Sequence, residues 1–240
     1  MSEEFERPSK RKLDETRPIE AEAGVIKKAD GSARFKIGDT EAYAAVYGPR
    51  ELHPRFLQDP KTGILRCNYS MLPFSGDGSR VRPGPSRRSK EISLVSEKAL
   101  IPVMNLEDYP NTVVDVFIEL PQTDAGSRCA GICAASIALA DAGLMMKDMV
   151  AAVSVGQVRG AMIIDLDGEE EHMDENEGTD IPVALIPSTE QITLLQGDGI
   201  VHRNNLIKAI EMVKPALKKI AEEQRKALHK KYNTQIGDQK

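Results

Sequence analysis

At 240 residues, the chain can form one large domain or two small ones, and a hydrophobic content of 40% is enough to bury a substantial core. Charged residues make up 29% of the sequence and the formal net charge is only −5, which excludes a protein that binds nucleic acid over its whole surface. Any contact with nucleic acid must therefore be local.

The sequence also argues against secretion and membrane insertion. No stretch approaches 18 consecutive apolar residues, and the N-terminus MSEEFERPSKRKLDE is charged where a signal peptide is apolar. Cys67, Cys129 and Cys133 are odd in number and have no His partner at zinc-site spacing, so we interpret them as small core residues. We expect a soluble, cytoplasmic protein with no membrane partner.

The first third of the chain predicts strands. Residues 1–18 are polar and dense in charge, and we expect a flexible arm that orders only against a neighbour. From Val25 the alternation predicts a three-strand meander, with a type I′ turn at Asp30-Gly31 and a second turn near Gly38-Asp39. A further strand at about 63–73 precedes a loop rich in Gly, Pro and Ser.

Helical periodicity begins at Ser86 or Arg87 and ends near Pro102. Arg88 precedes Ile92 by four residues, which places it on the buried face of this helix, at its N-terminal edge. Its guanidinium is therefore placed to reach a cleft. A solvated arginine in a basic turn is an equal alternative on spacing alone.

The remaining sequence predicts strands and two more helices. The segment TVVDVFIEL at 112–120 predicts a strand, and a small-residue helix follows at about Ser127 to Ala142, with Thr123 and Asp124 as candidate caps and Gly143 as its stop. Further strands are predicted at 149–158, 160–166, 181–186 and 190–196.

A final helix at about 203–231 should bend at Pro215, and residues 233–240 should form a flexible tail. Strands followed by helices, twice over, predict an α+β fold of two similar halves within a single domain over residues 19–232.

One candidate site lies at the start of the small-residue helix. Gly126, Ser127 and Arg128 follow a strand and offer unpaired backbone N–H groups, the positive end of a helix dipole, a hydroxyl and a cation. These groups suit a small phosphate. The tripeptide alone is a weak signal, since Gly-Ser turns at helix starts are common, and no Walker A or dinucleotide fingerprint accompanies it.

The second candidate is a run of carboxylates at 165–180, most of which we interpret as solvated loop charges. Asp180 differs because it immediately precedes the apolar strand IPVALIP, and Asp174 lies six residues upstream across a loop. Two carboxylates near a phosphate could hold Mg²⁺, or one could donate a proton to a leaving oxygen. The four dispersed histidines and the absence of a nucleophile elbow leave phosphate from solution as a candidate nucleophile.

Six segments in order resemble the ribonuclease PH family, and within it the catalytic subunits of archaeal exosomes, over about residues 7–230. They are RKLDETRPIEAEAGVIKKADGSA, AVYGPRELHPR, YSMLPFS, RRSKEIS, TDAGSRCAG and the carboxylate segment ending in TDIPVALIP. The chain departs from bacterial members at RPSKR and at Ile181-Pro182, which favours the archaeal branch, and its longer acidic segment leaves the position of Asp174 less certain.

The resemblance implies roles for the candidate residues. Gly126, Ser127 and Arg128 would bind the attacking phosphate, and Asp174 with Asp180 would supply the catalytic acid or the metal ligands. Arg88 and Arg128 would act in catalysis. RNA contacts would come from Arg87, Arg88, Arg66 and Tyr69, and the last two would lie near a loop at the entrance constriction.

The resemblance further implies duplicated βαβ-type halves with mixed sheets and packed helices. The implied activity is 3′-to-5′ phosphorolysis of RNA to nucleoside diphosphates, reversible as RNA tailing, with inorganic phosphate as co-substrate and Mg²⁺ as metal. The implied partners are the 3′ end of single-stranded RNA, an inactive paralogue in a trimer of heterodimers, and RNA-binding cap subunits. The alternatives are a non-catalytic ring subunit that positions RNA and a homomeric enzyme that trims tRNA 3′ ends.

Overall fold

A computed structural model of the chain describes residues 6–76, 80–173, 179–197, 199 and 201–237. The strands are β1 (Ile19–Ala23), β2 (Gly31–Ile37), β3 (Thr40–Glu51), β4 (Ile64–Met71), β5 (Thr112–Gln122), β6 (Ala151–Val158), β7 (Ala161–Ile164), β8 (Thr179–Ile186) and β9 (Gln191–Leu195). The helices are α1 (Arg87–Leu100), α2 (Ser127–Asp141), α3 (Gly168–His172) and α4 (Arg203–Gly237). The predicted α+β class is confirmed.

The first sheet has the strand order β1-β2-β3-β5-β4. The meander β1-β2-β3 and the pair β3-β5 are antiparallel, whereas β4 runs parallel to β5 and reaches it through α1. This crossover is the βαβ unit of the fold. Ser86 caps α1 with a reciprocal capping box to Ser89, which explains why the helix begins at the predicted position.

The second sheet has the order β7-β6-β8-β9, and all its described pairings are antiparallel. A parallel pair is therefore found in the first sheet alone among the described strands. The closing helix α4 contains Pro215 and continues to Gly237, so it occupies most of the segment predicted to be a flexible tail at 233–240. In the described part of the chain, no helix combines the length and apolarity that a bilayer crossing requires.

Helix α2 is the centre of the molecule, and 13 of its 15 residues are buried. Its Ala, Gly, Ser and Cys residues allow close packing on both sheets, so one continuous apolar core contains residues of β2, β5, β6 and β8. A Cβ on Gly31 would lie 2.3 Å from the Ala138 carbonyl oxygen, and one on Gly131 would lie 2.9 Å from Ile118. These glycines bring α2 against the first sheet.

The predicted type I′ turn at Asp30-Gly31 is wrong. Strand β1 begins earlier than expected, at Ile19, and residues 24–30 form a longer connection to β2. Asp30 instead accepts a hydrogen bond from the Gly48 N–H at 2.8 Å, and Gly31 is required by the approach of α2. The same dipeptide therefore reflects tertiary packing. The second predicted turn, at Gly38-Asp39, is confirmed between β2 and β3.

The prediction that residues 1–18 order only against a neighbour is wrong for the described residues 6–18. Arg7 is 2% exposed and binds Glu170, which is fully buried, through two hydrogen bonds of 2.6 and 2.7 Å. Arg7 also donates to four backbone carbonyls. Because a buried arginine needs a carboxylate partner, this segment folds onto the second half of the chain.

We expect Arg7→Met to lower the free energy of unfolding by about 3–5 kcal/mol, because it leaves the buried Glu170 carboxylate with Arg11, at the longer distance of 3.5 Å, as its only cation among the described residues. Urea denaturation followed by circular dichroism measures the change.

The matched control is Arg225→Met. Arg225 pairs with Asp148 at 2.9 Å but its side chain is 48% exposed, so its loss should cost about 0–1 kcal/mol. An Arg7→Met protein no less stable than the control would contradict a strapping role for the N-terminal segment.

Candidate active site

A cavity of about 480 Å³ opens where the N-terminus of α2 meets the second sheet. The sequence-predicted residues that line it are Arg88, Gly126, Ser127, Arg128 and Asp180. Its other polar lining residues include Thr123, Ser154, Glu171 and His172. Residues distant in sequence, from α1, α2 and β8, therefore share one cavity.

The backbone at the start of α2 is shaped to bind an anion. Ala125 and Gly126 both have left-handed backbone conformations, with φ of 52° and 63°. Gly126 occupies the N-cap position, and no side chain among the described residues caps this end. Thr123 and Asp124, the predicted caps, do not fill that role. The first N–H groups of a long, buried helix therefore remain available at the cavity.

Buried and part-buried polar contacts hold this turn in place. The Thr40 hydroxyl accepts from the Asp124 N–H at 2.8 Å and lies within hydrogen-bonding distance of the carbonyls of Asp124 and Ala125. Arg17 donates to the Asp124 carbonyl and, from the same guanidinium, to the Asp165 carboxylate at 2.8 and 3.0 Å. The Asp124 carboxylate in turn accepts from the Gly168 N–H at 2.7 Å. The turn is thus tied to both halves of the fold.

A hydrogen bond from Tyr69 positions the Ser127 side chain. The Tyr69 hydroxyl donates to Ser127 Oγ at 2.9 Å, and both residues are buried. Burial raises the pKa of Tyr69, although the bond to Ser127 and the charges of Arg88 and Arg128 oppose the rise. The phenol therefore keeps its proton at neutral pH, and its hydrogen bond orients the Ser127 hydroxyl.

Two arginines supply the positive charge of the cavity. Arg128, in the first turn of α2, donates to Gln196 and lies 3.6 Å from Glu91. Arg88, in the first turn of α1, is exposed at the cavity. The helix dipole adds to their positive potential, because it also directs its positive end here.

Carboxylates face these cations from the second sheet. Asp180 lies in β8 opposite Gly156 of β6 and accepts a hydrogen bond from the Ser154 hydroxyl. Glu171 of α3 lines the same cavity, where desolvation and then the nearby Asp180 raise its pKa, and Arg88 lowers it. A carboxyl with a raised pKa is suited to carry a proton.

The structure does not bring all predicted site residues together. Arg87 is exposed at the start of α1 but does not line the cavity. Arg66 and Tyr69 both lie on β4, on opposite faces. Arg66 is exposed and bound to Asp115 at 2.6 Å, whereas Tyr69 is 4% exposed. Strand alternation therefore prevents them from lining one opening. Asp174 lies outside the described residues.

Sequence reasoning missed four residues around the site: Tyr69 as a support for Ser127, Ser154, Glu171 and Arg17. Ser154 is an unremarkable strand residue, Tyr69 was assigned to RNA contact instead, and Glu171 was grouped with solvated charges. Arg17 was assigned to the charge-dense arm, and the composition of that arm does not name its partners.

A larger groove of about 1520 Å³ adjoins the cavity and shares Gly76, Thr123 and His172 with it. Its charged lining mixes basic residues such as Arg11 and Lys36 with acidic residues such as Glu41. The smaller cavity is the better candidate for chemistry because its cations, helix terminus and carboxylate converge. Within the described residues, no group of three or more His, Cys, Asp or Glu is arranged to hold a metal ion.

Comparison with known proteins agrees with this site. Residues 15–145 match domain 1 of the 3′ exoribonuclease family RNase PH, and residues 148–214 match its domain 2. The exosome complex component Rrp41 of Methanopyrus kandleri is 48% identical over 97% of this chain and 95% of its own length. That of Pyrococcus abyssi is 50% identical over 92% of this chain and 88% of its own length.

Two solved structures share the fold at lower identity. Rice (Oryza sativa) Rrp46 superposes with a TM-score of 0.81 at 22% identity, covering 93% of this chain and 100% of that one. A chain of an Archaeoglobus fulgidus exosome with RNA bound to the active site superposes with a TM-score of 0.77 at 23% identity, covering 91% and 92%. On the family matches and the identity to Rrp41 proteins, the chain belongs to the RNase PH family of 3′ exoribonucleases.

Proposed function

We propose that this chain degrades RNA from the 3′ end by phosphorolysis and does so as the catalytic subunit of an exosome. The observation that carries the proposal is the single cavity in which an uncapped helix N-terminus and two arginines face the Asp180 carboxylate. The helix N-terminus and the arginines suit a small, doubly charged anion, and the carboxylate suits a leaving oxygen that needs a proton.

Phosphate would bind at the start of α2, on the backbone N–H groups, the Ser127 hydroxyl and Arg128. One of its oxygens attacks the phosphorus of the 3′-terminal phosphodiester. The bond from that phosphorus to the 3′ oxygen of the preceding nucleotide breaks, and this oxygen takes up a proton. The products are a nucleoside 5′-diphosphate and an RNA one nucleotide shorter.

The main obstacle is repulsion between phosphate and the phosphodiester. Two like charges about 4 Å apart repel by roughly 4 kcal/mol at an effective dielectric of 20. Arg88 and Arg128 offset this repulsion and the charge that builds on the transferring oxygens. Their helices are anchored in the core, so the backbone of both arginines is in place before substrate binds.

Asp180 is the proposed acid for the leaving 3′ oxygen. The Ser154 hydroxyl orients its carboxylate, and Glu171 lies beside it as a second proton carrier. A cation such as Mg²⁺ fits this set only with help from the substrate, since Mg²⁺ is commonly held by one or two carboxylates plus phosphate oxygens. As the alternative to the acid role, Asp180, with Asp174 as proposed from sequence, would hold the cation, which would neutralise charge on those oxygens.

The proposed partners follow from the relatives. Rrp41 proteins that share nearly half of this sequence are named as exosome complex components, and a neighbour of the same fold comes from an exosome with RNA at its active site. We propose a 3′ single-stranded RNA end as substrate and a ring with an inactive paralogue, capped by RNA-binding subunits. Native mass measurement of the chain with and without the paralogue tests the assembly against a homomeric ring.

We expect RNA digestion to require inorganic phosphate and to release nucleoside diphosphates, because phosphate itself is the nucleophile. Thin-layer chromatography of the products, with and without phosphate, measures this directly. The reverse reaction, RNA tailing from nucleoside diphosphates, should appear when phosphate is scarce. Nucleoside monophosphates as the sole product, formed without phosphate, would rule out phosphorolysis.

We expect Asp180→Asn to lower kcat by about 10²–10⁴-fold with little change in RNA binding, because it removes a proton carrier but keeps the shape of the side chain. Single-turnover digestion and RNA titration measure the two quantities. Asp14→Asn is the control, since Asp14 is exposed and does not line the cavity. Undiminished turnover in Asp180→Asn would favour a non-catalytic, RNA-positioning subunit.

We expect Tyr69→Phe to raise the KM for phosphate by up to about tenfold, because it removes a hydrogen bond worth about 0.5–1.5 kcal/mol from Ser127. Since burial raises the pKa of Tyr69, its hydroxyl stays protonated and the effect should be constant between about pH 6 and 9. Initial rates across phosphate concentrations test both statements. An unchanged KM for phosphate would show that Tyr69 does not support phosphate binding.

A further inference from the structure

We propose that Gln196 is a positioning residue for Arg128, and that Glu91 completes the arrangement. The inference rests on the proposed phosphate site, because it concerns how one of the phosphate-binding side chains is held. Neither residue lines the cavity itself, and their side chains reach it through Arg128.

The three side chains form a closed set of polar contacts. Arg128 Nη1 donates to Gln196 Oε1, and Gln196 Nε2 donates to Glu91 Oε1 at 3.0 Å. The set closes through Arg128 Nη2, which lies 3.6 Å from the same Glu91 oxygen. The amide therefore faces a cation with its oxygen and an anion with its nitrogen, and the reversed orientation would break both hydrogen bonds.

These contacts join three parts of the site. Glu91 follows Arg88 by three residues on α1, so the two lie on neighbouring turns of one helix face. Gln196 directly follows β9, and its N–H donates to the Pro182 carbonyl of β8 at 3.2 Å, two residues beyond Asp180. Arg128 begins α2. Gln196 thus connects the strand that carries Asp180 to both helices that carry the arginines.

The remaining donors of Arg128 are what phosphate would use. Arg128 Nε is buried and finds no hydrogen-bond partner among the described residues, although the side chain lines the cavity. An unpaired buried donor is costly unless a ligand satisfies it. Gln196 and Glu91 occupy the terminal nitrogens and restrict the rotamers of a long side chain before phosphate arrives, which reduces the entropy lost on binding.

The test compares phosphate kinetics in variants of Gln196 under conditions where the wild-type chain digests RNA. Gln196→Ala should raise the KM for phosphate about tenfold, leave kcat within about threefold and leave the KM for RNA unchanged. Titration with inorganic phosphate alone, followed by calorimetry, should show the same loss without any turnover. Gln191→Ala is the matched control, since Gln191 is exposed at the opposite end of β9.

A charge swap separates positioning from a merely structural role. Gln196→Glu alone places two carboxylates side by side and should weaken phosphate binding at least as much as Gln196→Ala. Adding Glu91→Gln restores one acceptor for Arg128, one amide donor and the original net charge, and should return the KM for phosphate to within about threefold of wild type. Thermal melting of each variant checks that the fold is retained.

The outcomes are distinct. The proposal is supported if phosphate binding weakens in the single variants Gln196→Ala and Gln196→Glu and is restored in the double variant. A phosphate-dependent wild type whose Gln196→Ala variant keeps its phosphate KM, or a double variant no better than Gln196→Glu, overturns the proposal and leaves the phosphorolytic function intact. If the wild-type chain digests RNA without phosphate, the proposed phosphorolytic function, on which this inference rests, is wrong.

Discussion

The burial of helix α2 between the two sheets is the constraint on which the site depends. The helix is composed mainly of small residues, and Gly31 and Gly131 allow the first sheet to approach it closely. Because nearly all of it is shielded from water, the partial charge at its N-terminus is screened less than that of a surface helix. The left-handed turn at Gly126 leaves that end uncapped, and it therefore presents free N–H groups to the cavity.

The turn that precedes α2 belongs to the contacts that dock the two halves. Arg17, two residues before β1, binds the Asp124 carbonyl on one side and the Asp165 carboxylate on the other. Asp124 binds the N-terminus of α3, which Arg7 also holds through Glu170. Buried ion pairs add little net stability but are costly to break, so they favour one arrangement over alternatives. The same interactions thus define both the interface between the halves and the shape of the turn at the start of α2.

Local patterns predicted the elements, and long-range contacts decided what the patterns left open. The α1 start, the strand β5 and the helix α2 were predictable because capping, alternation and small-residue composition act within a few residues. The prediction of a turn at Asp30-Gly31 was wrong because that glycine allows close packing of a helix more than 100 residues away along the chain. The N-terminal segment failed for the same reason, since the partner of Arg7 is Glu170. Arg88, Ser127, Arg128 and Asp180 were found at one cavity, whereas Tyr69 was misplaced because strand alternation faces it inward.

The distribution of charge across the cavity explains why the two halves must act together. Arg88, Arg128 and the α2 terminus belong to the first family domain, and Asp180 and Glu171 belong to the second. Opposite charges on opposite walls would attract and close the space if they were free to move, but each wall is fixed to its own sheet and to α2. The separation is therefore held by the core, and an anion that enters finds cations on one side and carboxylates on the other. In a chain with a formal net charge of −5, the positive potential of the cavity is local, because it comes from one helix N-terminus and two arginines.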